Sequence, residues 1–147
     1  MVQRPWADAF LEEWREPRPP RIGISRLIFP AEDRRRALAQ LVPGARALAE
    51  QMVTAGRFPA GLDDEGYLRK LHAFYGHPDE IVDELQREKV LPVATDVLAQ
   101  FNPGLPSQSS ALRALELIAT EVAPALGWRP AADVDRASRA RPEVVLA

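Results

Sequence analysis

The sequence has no cysteine, and this absence excludes three kinds of site at once. Without thiols the chain can form no disulfide, no thiolate nucleophile and no cysteine-ligated zinc site. Long apolar runs are also missing, since none approaches the roughly 18 residues that a membrane span needs. The first residues lack the apolar core of a signal peptide. Together these absences predict a cytoplasmic protein with no membrane partner.

A strong net charge is absent as well. The 19 basic and 21 acidic residues nearly cancel, which leaves a formal charge of -2. No long-range field therefore draws the chain to nucleic acid, and we expect no nucleic-acid partner. The sequence also has no glycine-rich nucleotide loop and no nucleophile elbow.

What remains is the composition of an ordinary globular protein, with 46% hydrophobic and 27% charged residues among 147. A chain of this length can bury a core as one domain. We assign residues 1–128 to a single α/β domain. Residues 129–147 are rich in alanine, arginine and proline, and we expect an extended or frayed tail.

Hydrophobic periodicity predicts strands that alternate with helices. The predicted strands span 22–29, 72–75 and 93–101, and the main predicted helices span 6–16, 31–56, 78–89 and 109–126. A short helix is expected to end at Leu71. This alternation is typical of parallel βα units.

Two local patterns have structural interpretations. Trp6, Phe10 and Trp14 stand four residues apart, so a helix would place their rings on one face. We interpret that face as core packing, with a docking surface for another chain as the alternative. The run RRR at 34–36 is interpreted as a solvated helix face.

The stretch FYGHPDEI (74–81) has the form of a βα corner. A strand would end before Gly76, which suits a tight turn, and Pro78 would occupy the first helical position. Asp79 and Glu80 would complement the positive end of the helix dipole, and they argue against a phosphate at this corner.

These segments, taken in order, resemble a known family. GHPDEIVDEL (76–85), VATDVLAQFNPGLP (93–106) and SALRALELIATEVAPAL (110–126) resemble the end of the luciferase-like flavin-dependent monooxygenases. RIGISRLIFPAEDRRRALA (21–39) resembles an earlier barrel strand with its following helix, and ADAFLEEWRE (7–16) is similar to the helix before that strand. The resemblance covers about residues 6 to 127. In two places it departs from the family, because His77 and Asp79 stand where Ser or Thr and Glu are usual.

The resemblance implies a partial TIM-type (β/α) barrel, an α/β fold with about three parallel strands and flanking helices. Complete barrels have eight strands and about 250 residues, so five βα units would lie outside this chain. It also implies an oxidoreductase or monooxygenase reaction with FMN or a related flavin such as deazaflavin. Most flavin contacts in the family come from the missing strands, which leaves flavin binding by this chain alone open.

The alternative is a non-catalytic barrel remnant that acts as an oligomeric or partner-binding module. A three-stranded arc has two unpaired strand edges, and proteins normally cover such edges. We therefore expect a homo-oligomer or a partner chain that covers the open sheet edges.

The resemblance places few candidate residues on the active face. His77 is the candidate catalytic residue, as acid, base or flavin contact, with an ordinary surface histidine as the alternative. Gly76, Gln100 and Asn102 are the cofactor-binding candidates. Gln100 and Asn102 could bind a flavin edge through their amides, although Asn102 before Pro103 is also ordinary turn chemistry. No metal site is predicted, because recognised ligand spacings are missing.

Overall fold

The computed structural model describes residues 3–101 and 107–128, and within them strands alternate with helices as predicted. In chain order the elements are helix α1 (Gln3–Glu13), strand β1 (Gly23–Pro30), helices α2 (Arg34–Thr54) and α3 (Asp64–Lys70), strand β2 (Ala73–Gly76), helix α4 (Pro78–Gln86), strand β3 (Asp96–Gln100) and helix α5 (Gln108–Leu117). A short 3₁₀ turn at Leu91–Val93 precedes β3, and α5 continues through a π-helix at Ile118–Val122 into a last turn at Ala123–Ala125. The predicted tail at 129–147 lies outside the described residues.

The three strands form one parallel sheet in the order β2-β1-β3. The α/β class with three parallel strands and flanking helices is therefore confirmed. Three consecutive strands of a barrel would each lie beside the next strand in the chain. Here β3 instead pairs with β1, on the side away from β2. This order matches the start of a doubly wound sheet, in which the chain reverses its direction of winding after β2.

Alternate residues of the sheet pack on opposite layers. Leu27 and Phe29 of β1 lie on one face and pack against Leu41 of α2, and we call this face the α2 face. Ile28 lies on the other face and packs against Ile81 and Leu85 of α4, and we call it the α4 face. A parallel sheet has both faces buried because helical crossovers join its strands, and β2 and residues 26–30 of β1 follow that rule, whereas Leu98, Ala99 and Gln100 of β3 remain exposed.

The aromatic rings of α1 do not enter the core. Trp6 is 73% exposed and Phe10 is 40% exposed, and the only buried residue of this helix is Ala7. The ring centroids of Phe10 and Trp14 lie 5.1 Å apart. The predicted core packing of these rings is therefore wrong, because α1 contacts Ile24 and Val90 through the small side chain of Ala7. The alternative, a docking surface for another chain, stays a prediction.

The strand order can be tested by cross-linking, because the chain has no native cysteine. Ser25 and Leu98 are exposed register partners on β1 and β3, so Ser25→Cys with Leu98→Cys should form an intrachain disulfide under mild oxidation. The matched pair, Ala73→Cys with Leu98→Cys, joins β2 to β3 and should keep its free thiols. Mass spectrometry of both variants would distinguish them. Cross-linking of the second pair alone would contradict the observed order.

Candidate functional site

The predicted corner between β2 and α4 is present in the structure. Gly76 has a φ of 128°, a conformation that side chains other than glycine rarely adopt. A Cβ at this position would also collide with the carboxylate of Glu80. Pro78 is the first residue of α4, as the sequence predicts, and the backbone N–H of His77 donates to the Glu80 Oε2 over 2.9 Å. The corner is thus held by a glycine turn and a reciprocal helix cap.

His77 takes the capping position that a hydroxyl residue usually fills. Its Nδ1 accepts a long hydrogen bond of 3.4 Å from the backbone N–H of Asp79, and half of its side chain is exposed. The hydroxyl cap usual in the family is replaced by the imidazole, because a ring nitrogen with a free lone pair accepts a backbone N–H as an oxygen does. A catalytic role for His77 stays a prediction, and only Nε2 remains free for it.

The cofactor-binding candidates do not converge. Gln100 pairs with Leu27, whereas Gly76 pairs with Pro30, so Gln100 lies three residues, or about 10 Å, below the level of Gly76. It also lies on the other side of β1. Its side chain lines a different cavity of about 230 Å³ with Leu48 and Leu71. Asn102 lies outside the described residues.

Arg34 makes a cluster of contacts that sequence reasoning missed. Its guanidinium carbon lies 4.3 Å from the centroid of the Tyr75 ring, within the range of a cation–π contact. The same guanidinium donates to the Tyr75 backbone oxygen over 3.3 Å and to the Tyr75 hydroxyl over 3.1 Å. It also forms ion pairs with Glu65 of α3 at 3.3 Å and Glu84 of α4 at 3.4 Å. The interpretation of RRR as a solvated face is thus wrong for Arg34, although Arg35 and Arg36 are exposed.

The Arg34 cluster covers the outer edge of β2. The carbonyl of Gly76 accepts a hydrogen bond from Ala31 in the loop after β1. Carbonyls alternate in direction along a strand, so the Tyr75 carbonyl points to the outer edge, where Arg34 satisfies it. Burial raises the pKa of the Tyr75 phenol, which keeps it protonated at neutral pH. The cluster therefore covers the outer edge of β2.

A small cavity opens at the carboxyl edge, between the first turns of α2 and α5. It measures about 270 Å³, and its polar lining comes from Arg36, Gln40, Ser109, Ser110 and Arg113 among others. Both arginines already have carboxylate partners, Glu32 for Arg36 and Glu116 for Arg113. Pockets that hold cofactors usually measure about 300 to 1,000 Å³. The volume of this cavity lies just below that range, and both of its arginines are paired.

Two further features are absent from the described part of the chain. Its residues contain no group of three or more histidine, aspartate or glutamate side chains that could hold a metal ion. None of its helices combines the length and the apolar character needed to cross a bilayer.

Comparison with known proteins adds no assignment. No protein-family model matches the chain, and no curated protein matches it. The similarity to luciferase-like monooxygenases therefore stays a prediction from the sequence.

Because Arg34 covers the sheet edge, its replacement should destabilise the protein more than replacement of its neighbour Arg35. Arg34→Met should lower the free energy of unfolding by about 1 to 3 kcal/mol, because it removes charged hydrogen bonds and a cation–π contact. Arg35→Met removes the same charge from an exposed position and should change the free energy of unfolding by no more than about 0.5 kcal/mol. Urea denaturation of both variants measures the difference. Equal effects would show that Arg34 does not hold the edge.

Proposed function

We propose that the chain is the closing segment of a luciferase-like flavin-dependent oxidoreductase, and that it acts only when further polypeptide supplies the missing barrel strands. The observation that carries the proposal is the β2–α4 corner. Its parallel strand, its glycine turn at Gly76 and its helix begun by Pro78 follow the order of elements in that family. The implied reaction is oxygenation of an organic substrate by reduced flavin.

Within the described residues the candidate flavin contacts do not converge, because Gln100 lies away from Gly76 and His77. Assembly into a barrel of consecutive strands would also require β3 to leave β1 and pair with β2. We therefore assign no catalytic step to this chain by itself. Its contribution within an assembly would be to complete the barrel and to shape the rim around His77.

Titration with FMN tests this proposal. The purified chain alone should quench flavin fluorescence only weakly and without saturation, because it lacks most of the expected contacts. Addition of polypeptide that contains the missing strands should produce saturable quenching in the micromolar range, an affinity of about -8 kcal/mol. His77→Ala should leave assembly intact, which light scattering of the same sample would show. Absence of saturable quenching in a folded assembly would contradict the flavin proposal.

The second candidate is a non-catalytic module that another chain completes by pairing with β3. A specific observation favours it, because the two sheet edges differ. Arg34 covers the outer edge of β2, whereas Leu98 of β3 is 55% exposed and Ala99 and Gln100 are also exposed. Within the described residues β3 pairs only with β1. An exposed strand edge accepts a further strand through its backbone groups.

Charge on the β3 edge should block this assembly. Leu98→Lys places an ammonium group beside the edge, where lysine discourages strand pairing, so any oligomer should dissociate to monomer. Leu115→Lys is the control, because Leu115 of α5 is 49% exposed and the same charge is added away from the edge. Light scattering across a concentration series gives the mass of each variant. A mass lowered equally by both variants would exclude pairing through β3.

A further inference from the structure

Arg26 is a buried charge at the centre of the sheet. It lies on β1 with 3% of its surface exposed, and no other charged residue in the described segments is classed as buried. Its guanidinium donates to the backbone oxygen of Ser25 over 2.8 Å, to Gln3 over 2.7 Å and to Glu88 over 2.9 Å. Its Nε–H has no partner among the described residues. A buried donor without an acceptor is costly, so this placement of Arg26 lowers the stability of the fold.

His72 lies beside Arg26 in a strained backbone conformation. The register that pairs Leu27 with Ala73 places His72, the residue just before β2, level with Arg26. Its φ of 53° is the only positive value at a residue other than glycine in the described chain. Burial, and then the charge of Arg26, lower the pKa of its imidazole, so it is neutral at pH 7. Strain of this kind is concentrated at functional sites.

Both residues line one cavity of about 700 Å³, at the amino edge of the sheet and opposite the β2–α4 corner. Its other lining residues include Arg4, Phe74, Glu84, Arg87, Glu88 and Lys89. Glu84 and Glu88 are already paired with Arg34 and Arg26, and Arg4 is paired with Asp8. Arg87 and Lys89 form no salt bridge with any described residue. The free charges around the cavity are therefore positive.

We propose that this cavity binds a small molecule through an oxyanion group, with Arg26 as the buried anchor and Arg87 and Lys89 as the cations at its mouth. Guanidinium and ammonium groups are the donors that proteins use for carboxylate and phosphate. An anion there would balance the unpaired cations Arg87 and Lys89. The volume falls within the range of small-molecule pockets, and Phe74 supplies an apolar wall for the rest of the ligand. This site is separate from the proposed flavin edge and does not depend on it.

The two histidines of the chain provide a probe and its internal control. Sodium sulfate, a stand-in for a phosphate ester, is titrated into the full chain at constant pH and ionic strength against sodium chloride. The imidazole NMR signals of His72 should shift in a saturable manner, whereas those of His77 at the opposite edge should not move. A parallel titration with acetate separates carboxylate from phosphate chemistry, because the better-matched anion saturates at the lower concentration. Shifts that are equal at both histidines, or that never saturate, would overturn the proposal.

Charge-matched variants keep the test independent of folding. Arg87→Gln with Lys89→Gln removes two exposed cations from the cavity and should weaken sulfate binding about tenfold. Arg35→Gln with Arg57→Gln removes two exposed cations elsewhere. It should change the affinity for sulfate by no more than about twofold, because long-range charge effects are screened. Equal weakening by the two double variants would show a general charge effect and overturn the site.

Discussion

A parallel sheet is stable only when helices cover its faces, and the rest of this fold depends on that constraint. The central strand β1 contributes side chains to the cores on both faces. It pairs with β2 on one side and β3 on the other, and its alternate side chains Phe29 and Ile28 enter separate cores. Parallel strands cannot be joined by hairpins, so the chain between them must form crossovers that also cover the sheet. The helices α2 and α4 therefore take opposite faces. Loss of packing along β1 would weaken both layers together.

Within the described residues, one edge of the sheet is covered by side chains and the other is exposed. Arg34 connects the helices on both faces across the outer edge of β2, through Glu65, Glu84 and the backbone of Tyr75. The outer edge of β3 carries no comparable cover in the described residues and exposes Leu98. The partner-binding proposal uses this exposed edge, whereas the flavin proposal requires β3 to leave β1 and pair with β2.

Among the described residues, the buried charge and the larger polar cavity lie at the amino edge of the sheet, whereas barrel enzymes usually place their sites at the carboxyl edge. At the carboxyl edge His77 is engaged as a helix cap, and the arginines of the small cavity are already paired. At the amino edge a buried Arg26 and a strained His72 line the larger cavity. Arg26 and its ion-pair partner Glu88 are 62 residues apart, so no local spacing rule reveals their meeting. The spacing of apolar residues likewise does not predict the positive φ of His72.

Local signals determined much of this structure from the sequence alone. The alternating elements, the turn at Gly76 and the start of α4 at Pro78 depend on neighbours within a few residues, which is why residue types predict them. The four-residue spacing of Trp6 and Phe10 likewise predicts a shared helix face, but not whether that face is buried. The order β2-β1-β3, the outward aromatic face of α1 and the contacts of Arg34 were decided only by tertiary structure. Each depends on which distant segments lie side by side, and that choice is made by the burial of the whole sheet, which no short stretch of sequence contains.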